Sequence, residues 1–150
     1  MYTISETPTS SASSSTAIHK RNDALAGAGE LAGRAVLASL FLLSGLSKLG
    51  AYKATAAFMA AAGVPGALLP LVIATELGGS LAVILGWRTR IAAALLAGFS
   101  LLTALLFHNN FADQIQMIMF FKNVSIAGGF LLLVANGAGP ISLDRRSGRG

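Results

Sequence analysis

The chain contains no cysteine. Disulfides, thiol redox chemistry and iron–sulfur ligation by its own residues are therefore excluded. Histidine is nearly as scarce, with His19 and His108 the two present. His19 lies in a Ser/Thr-rich terminal stretch, which argues against a haem held by both within one molecule. One His and one central Glu on separate apolar runs do not make a metal-ligand set, so no metal site is expected. No glycine-rich nucleotide loop follows a strand-like run, and no nucleophile–base spacing is visible.

Charge is also thin. Asp, Glu, Lys and Arg make up 11% of the residues, whereas a soluble domain is about one quarter charged. A chain this poor in charge cannot cover a water-facing surface. Its formal net charge of +5 raises the question of nucleic acid, but basic and aromatic residues do not interleave on one surface. The Lys and Arg residues instead sit between or beside apolar runs, where the positive-inside rule places them in a membrane protein. No nucleic-acid partner is expected.

What the chain has in abundance is small and apolar side chains: hydrophobic residues reach 54% and mean hydropathy is +0.69. Four apolar runs near the roughly 20 residues needed to cross a bilayer can be drawn, at about 31–50, 67–86, 91–107 and 115–135. These runs predict an all-α, polytopic membrane protein built as a four-helix bundle, whose first partner is the lipid bilayer. The expected organisation is a disordered Ser/Thr-rich tail over 1–30, a membrane domain over 31–136 and a basic tail over 137–150. No basic start or apolar core marks residues 1–30 as a secretory signal. Gly63, Pro65 and Gly66 break the chain before the second run, and 52–62 reads as a weakly amphipathic piece at the interface.

Lys20 and Arg21, then Arg88 and Arg90, then Arg145, Arg146 and Arg149 fall on one side of a four-span arrangement. Both termini are accordingly expected in the cytoplasm. Inside the spans, a charge at mid-bilayer costs a few kcal/mol or more and should face the bundle interior, a partner or a wet cavity. Glu76 lies near the centre of the second span and is the candidate proton acceptor. By depth alone its nearest basic partner is Lys122 of the fourth span, since Arg34 and Lys48 lie toward opposite ends of the first.

Helical spacing puts Arg34, Phe41, Ser44 and Lys48 on one stripe, Glu76, Gly79, Ser80 and Val83 on another, and Lys122, Ser125 and Gly129 on a third. The alternative is that Glu76 and Lys122 only glue the bundle together while Arg34 and Lys48 snorkel to the two interfaces. The outer half gathers Lys48, His108, Asn109, Asn110, Gln116, Lys122 and Asn123. These polar groups suit a quinone carbonyl, a phenolate or a small anion; the competing reading of the Asn residues is a solvated turn.

The order of these motifs resembles the DoxX family of small bacterial membrane proteins. The similarity rests on RAVLASLFLLSGLSKL in the first span, on ELGGSLAVILGWRTRIAAALLA through the second and third, on His108 closing the third, and on GAGPISLDRR after the fourth. It covers roughly Ala32 to Arg146. Where the family usually has an aromatic or His before the glycine of the first helix, this chain has Ser44-Gly45. The resemblance implies a four-helix inner-membrane protein of a family mostly of unknown activity, in which some members are linked to quinone-dependent oxidation of thiosulfate and others to membrane-associated redox or detoxification complexes. Carried over by motif, it points to Arg34, Glu76, Gly78, Gly79, Arg90 and His108, with Ser142, Leu143 and Asp144 in the closing segment.

The expectation is a component of a membrane redox system that binds a quinone and has no intrinsic cofactor. Arg34, Lys48, His108, Lys122 and Asn123 are its candidate binding residues; Gly78, Gly79, Arg90 and Asp144 are structural. A redox partner protein and a homo-oligomer are candidate assemblies. A membrane scaffold and a small-solute or proton pathway stay open as alternatives, as does whether the chain is an enzyme at all.

Overall fold

The computed structural model describes residues 11–148, with side chains from Lys20 onward. The first ten residues of the expected tail, the side chain of His19, and Arg149 lie outside the described residues. Six α-helices follow in order: α1 Ser11–Gly50, α2 Tyr52–Ala61, α3 Leu69–Leu85, α4 Thr89–Phe107, α5 Gln114–Asn136 and α6 Leu143–Arg146. A single 3-10 turn at Gly66–Leu68 precedes α3. Four of these segments are long and apolar enough to cross a membrane: Lys20–Gly50, Gly66–Leu85, Thr89–Phe107 and Gln114–Asn136. They alternate in direction and close into a bundle in which α1 packs on α3, α3 on α4 and α4 on α5.

The start of the first helix differs from the sequence expectation. The apolar run begins near Leu31, but the helix continues back to Ser11. Extending an existing helix needs no new nucleus, and this extension is docked. Gly27 is buried, and a Cβ placed there would meet Pro140 at 2.8 Å. The stretch 11–30, expected to be unstructured, is therefore helical.

The element ends follow local chemistry. Pro70 enters α3 in its first turn, where a missing N–H costs nothing. Gly86 ends α3 in the left-handed region at φ 69°, and the Trp87 N–H donates back to Ala82 O at 2.9 Å. That is the closure glycine favours, because it carries no Cβ. Asp113 caps α5 through the N–H groups of Ile115 and Gln116. α4 has no side-chain cap of its own, and its preceding residue, Arg88, sits at φ 46°.

The core is a layer of small residues around a few large ones. Ala38, Phe41, Val83, Ala93, Leu96 and Phe130 are buried together, and the Phe41 ring meets those of Phe99 and Phe130 edge-on at 6.2 and 5.5 Å. Two glycines set helix spacing. A Cβ at Gly45 would lie 2.7 Å from Leu77, and one at Gly79 would lie 2.9 Å from Leu96. By contrast Val36, Leu43, Leu71, Leu95, Leu105 and Leu132 point outward. Such an apolar exterior over a small-residue interior suits a molecule whose solvent is lipid.

Candidate functional site

Glu76 projects from the middle of α3 and is 3% exposed. Its partner comes from α1. Lys48 Nζ donates to Glu76 Oε1 at 2.8 Å and to Oε2 at 2.9 Å. It also donates to Ser44 Oγ at 2.6 Å, and that hydroxyl donates to Glu76 Oε1 at 3.2 Å. Ser44 and Lys48 are one turn apart on α1, so both reach the same face. Gly45 lets that face come close enough to α3, its missing Cβ being replaced by Leu77 and the Glu76 stem. A buried carboxylate needs this company: removing one member of a buried pair typically costs about 3–5 kcal/mol.

This finding corrects two expectations. Glu76 pairs with Lys48 and not with Lys122, because α3 lies between α1 and α4 whereas Lys122 is exposed on the far side of α5. Lys48 does not snorkel outward; its flexible stem turns inward to the carboxylate.

Lys48 and Glu76 form part of the wall of a cavity of about 390 Å³. Phe58 and Met59 of α2, Val72 of α3, and Leu102 and Phe107 of α4 supply much of its apolar lining. Phe58 stacks on Phe107 with centroids 5.6 Å apart, joining α2 to the end of α4. Three threonines also line the cavity, but each hydroxyl is already bonded to its own helix: Thr55 to Ala51 O, Thr75 to Leu71 O and Thr103 to Ser100 O. The strong polar groups left on the wall are Lys48, Glu76 and His108. His108 Nδ1 lies 2.8 Å from Gln116 Oε1. With that oxygen as acceptor, Nδ1 carries the proton, and Nε2 of the neutral ring is an acceptor. The cavity is thus apolar, with an ion pair at the middle of α3 and an imidazole nearer one end.

The remaining candidates are elsewhere. Asn123 clasps α5 to α4, its backbone and side-chain oxygens accepting from Ser100 Oγ at 3.0 and 3.2 Å. Asn109 and Asn110 are exposed in the turn before α5. Gly78 is exposed, with open space where a Cβ would go, so it does not bring helices together, whereas Gly79 does. Arg90 is exposed at the arginine-rich end, with Nε 3.5 Å from where a Cβ on Gly137 would stand. Among the described residues, no three His, Cys, Asp or Glu side chains converge as a metal site would require.

Arg34 forms a second cluster at the opposite end of the bundle from His108, and it corrects a third expectation. Its side chain is buried, at 1% exposure, rather than snorkelling. Nη2 donates to Ile141 O at 2.5 Å, and Nη1 lies against Gly86, where a Cβ would collide with it. The segment after α5 runs across the arginine-rich ends of the helices. Asp144 N–H donates to Gly86 O at 2.8 Å. The Asp144 carboxylate accepts from the N–H groups of Arg88 at 2.7 Å and Thr89 at 2.8 Å. Asp144 thereby supplies the cap that α4 lacks, and an anion at a helix N-terminus is also favoured by the helix dipole. Arg34, Gly86, Thr89, Ser142 and Asp144, scattered through the chain, are one clasp. Sequence reasoning missed this convergence; the absent N-cap before α4 was the one local signal.

The architecture defines a small helical membrane protein with four spans, an arginine-rich end crossed by the segment after α5, and a lipophilic cavity in the other half. The chain belongs to the DoxX family, whose model matches residues 29–109. It is 50% identical over 117 residues to the inner membrane protein YqjF of Escherichia coli (strain K12), covering 78% of this chain and 90% of that protein. It is 38% identical over 123 residues to the inner membrane protein YphA of the same organism, covering 77% and 88%. No solved structure matches.

Proposed function

We propose that the protein is the ligand-binding component of a membrane-associated redox system and that it holds a quinone-type molecule in the cavity between α2, α3 and α4. The observation that carries this reading is the Lys48–Glu76 pair on the wall of an otherwise apolar cavity of about 390 Å³. Small-molecule sites characteristically combine apolar walls with a few convergent polar groups. A flat ring with oxygens on opposite edges suits two polar stations.

Glu76 lies seven positions from Leu69, the α3 end near His108, so the two stations differ in depth by on the order of 10 Å at about 1.5 Å per residue. The Lys48 ammonium donates to one oxygen of the head group, and His108 Nε2, an acceptor, receives the other oxygen's hydrogen when the molecule is in its quinol form. Oxidation of the quinol releases two protons with its two electrons: Glu76 accepts the proton of one hydroxyl and His108 Nε2 that of the other. The electrons pass to a redox partner protein. The chain sits in an inner membrane with both termini in the cytoplasm, as the arginines around the α3–α4 turn and on α6 favour.

The solute or proton pathway has less support. At the cavity wall Phe99 packs on Phe41, which packs in turn on Phe130, and the Asp144 clasp crosses the arginine-rich end. A continuous route through one chain would have to part both. The scaffold reading draws its support from Arg34 and Asp144, whose charges serve packing, and it leaves the cavity without a purpose.

The test is mass spectrometry of the lipid extract from gently purified protein, with quinone titration into nanodiscs. Stoichiometric quinone is expected, lost in Glu76→Gln and in the cavity-filling Val72→Phe at equal protein yield. Absence of binding at saturating quinone in folded protein would overturn the proposal.

A further inference from the structure

Lys122 does not belong to the cavity or to the clasp. It lies eight positions into α5, about 12 Å along the axis at about 1.5 Å per residue, well inside the apolar span. It is exposed, and among the described residues it makes no hydrogen bond or ion pair. A lysine in the middle of a span costs about 2.5–3.5 kcal/mol on insertion scales unless something answers its charge.

The surface around it is suited to a close neighbour. Ser125 is exposed on the next turn, with its hydroxyl already bonded to Phe121 O at 2.9 Å. A Cβ on Gly128 would meet nothing within 4 Å, and Leu132 is 65% exposed. Of the four spans, α5 buries the smallest share of itself. Small residues of this kind let helix backbones approach in a membrane.

The charge inventory selects the occupant. The chain has six acidic residues, and Glu76 is the one at the middle of a span, buried and already paired with Lys48. Asp113 caps α5 at its start, Asp23, Glu30 and Asp144 lie at or beyond the arginine-rich end, and Glu6 lies outside the described residues. Among the described residues, a second copy in the same orientation therefore offers no free carboxylate at the depth of Lys122 and would bring a like charge of its own.

We propose that the outward face of α5, centred on Lys122, Ser125 and Gly128, is the docking surface for a transmembrane helix of a different protein. That helix carries an Asp or Glu about 12 Å below the membrane surface from which α5 descends. The proposal does not rest on what fills the cavity.

The experiment places a photoreactive phenylalanine analogue at position 125 of the full chain in its own membrane. The expected adduct is with one membrane protein, the captured peptide being a transmembrane helix with an acidic residue near the cross-link. Its yield should fall at least tenfold in Lys122→Met and in Lys122→Glu, persist in Lys122→Arg, and return in Lys122→Glu when the partner's acid is changed to Lys. Adducts with lipid alone, adducts with a second copy of this chain, or a yield indifferent to position 122 would each overturn it.

Discussion

Lys48 and Glu76 come from antiparallel helices and meet with the ammonium 2.8 and 2.9 Å from the two carboxylate oxygens. Half-buried Lys48 explains how Glu76 can be buried as a carboxylate. Lys48→Met should leave a buried carboxylate without its cation and lower stability by about 3–5 kcal/mol. Glu76→Gln alone should also destabilise. The double variant should lose clearly less than the sum, because residues in direct contact do not act additively. Thermal unfolding of the four proteins in one detergent measures the coupling; additive losses would count against the pair as a unit.

The cap on α4 comes from a residue 55 positions away in sequence. Asp144→Ala should cost about 0.5–2 kcal/mol, the range for loss of a helix N-cap. Because Asp144 also carries the closing segment, limited proteolysis should show cleavage after Asn136 rising in this variant. Asp144→Asn, which keeps one side-chain oxygen acceptor, should fall between the two. A variant as resistant as the parent would mean that the segment is held by other contacts.

The glycines divide into two kinds, and substitution should separate them. Gly86 has φ 69° and Arg34 and Ser142 against it. Alanine there meets both backbone strain and collision, so accumulation in the membrane should fall severalfold. Gly45→Ala must displace Leu77 and should also destabilise. Gly78→Ala faces open space in the middle of a helix, where alanine is favoured over glycine by roughly 0.5–1 kcal/mol; unfolding temperatures should show it neutral or stabilising.

The α2 helix is held over the cavity partly by the stack of Phe58 on Phe107. Phe58→Ala should speed exchange of a bound lipophilic ligand more than it weakens overall stability, since α2 packs on few neighbours. Stopped-flow fluorescence of a quinone-quenched probe would measure that rate; an unchanged rate would place access elsewhere.

Much of the bundle was legible in the chain itself. The spans follow from local hydropathy, and their ends from Pro70, Gly86 and the polar turn at 108–114, all of which act over a few residues. The depth of Glu76 was legible as well. Its partner was not. Depth along an axis can be counted, but which helices become neighbours depends on packing between distant segments. The expectation of Lys122 rested on depth alone, whereas α3 packs between α1 and α4. The exchange of roles between Lys48 and Lys122 follows from that one fact.

The motif residues carry the same lesson. Arg34, the Gly86–Thr89 turn and Ser142–Asp144 could be picked out along the chain, but there Arg34 read as a binding or snorkelling group and Asp144 as a separate structural one. Hydrophobicity and turn chemistry are properties of neighbouring residues, so the sequence by itself determined that the chain crosses the membrane four times and where it turns. A clasp, a cavity and an ion pair are relations between segments tens of residues apart. Only the tertiary structure decided which charges are neutralised inside the bundle and which one, on α5, is left facing outward.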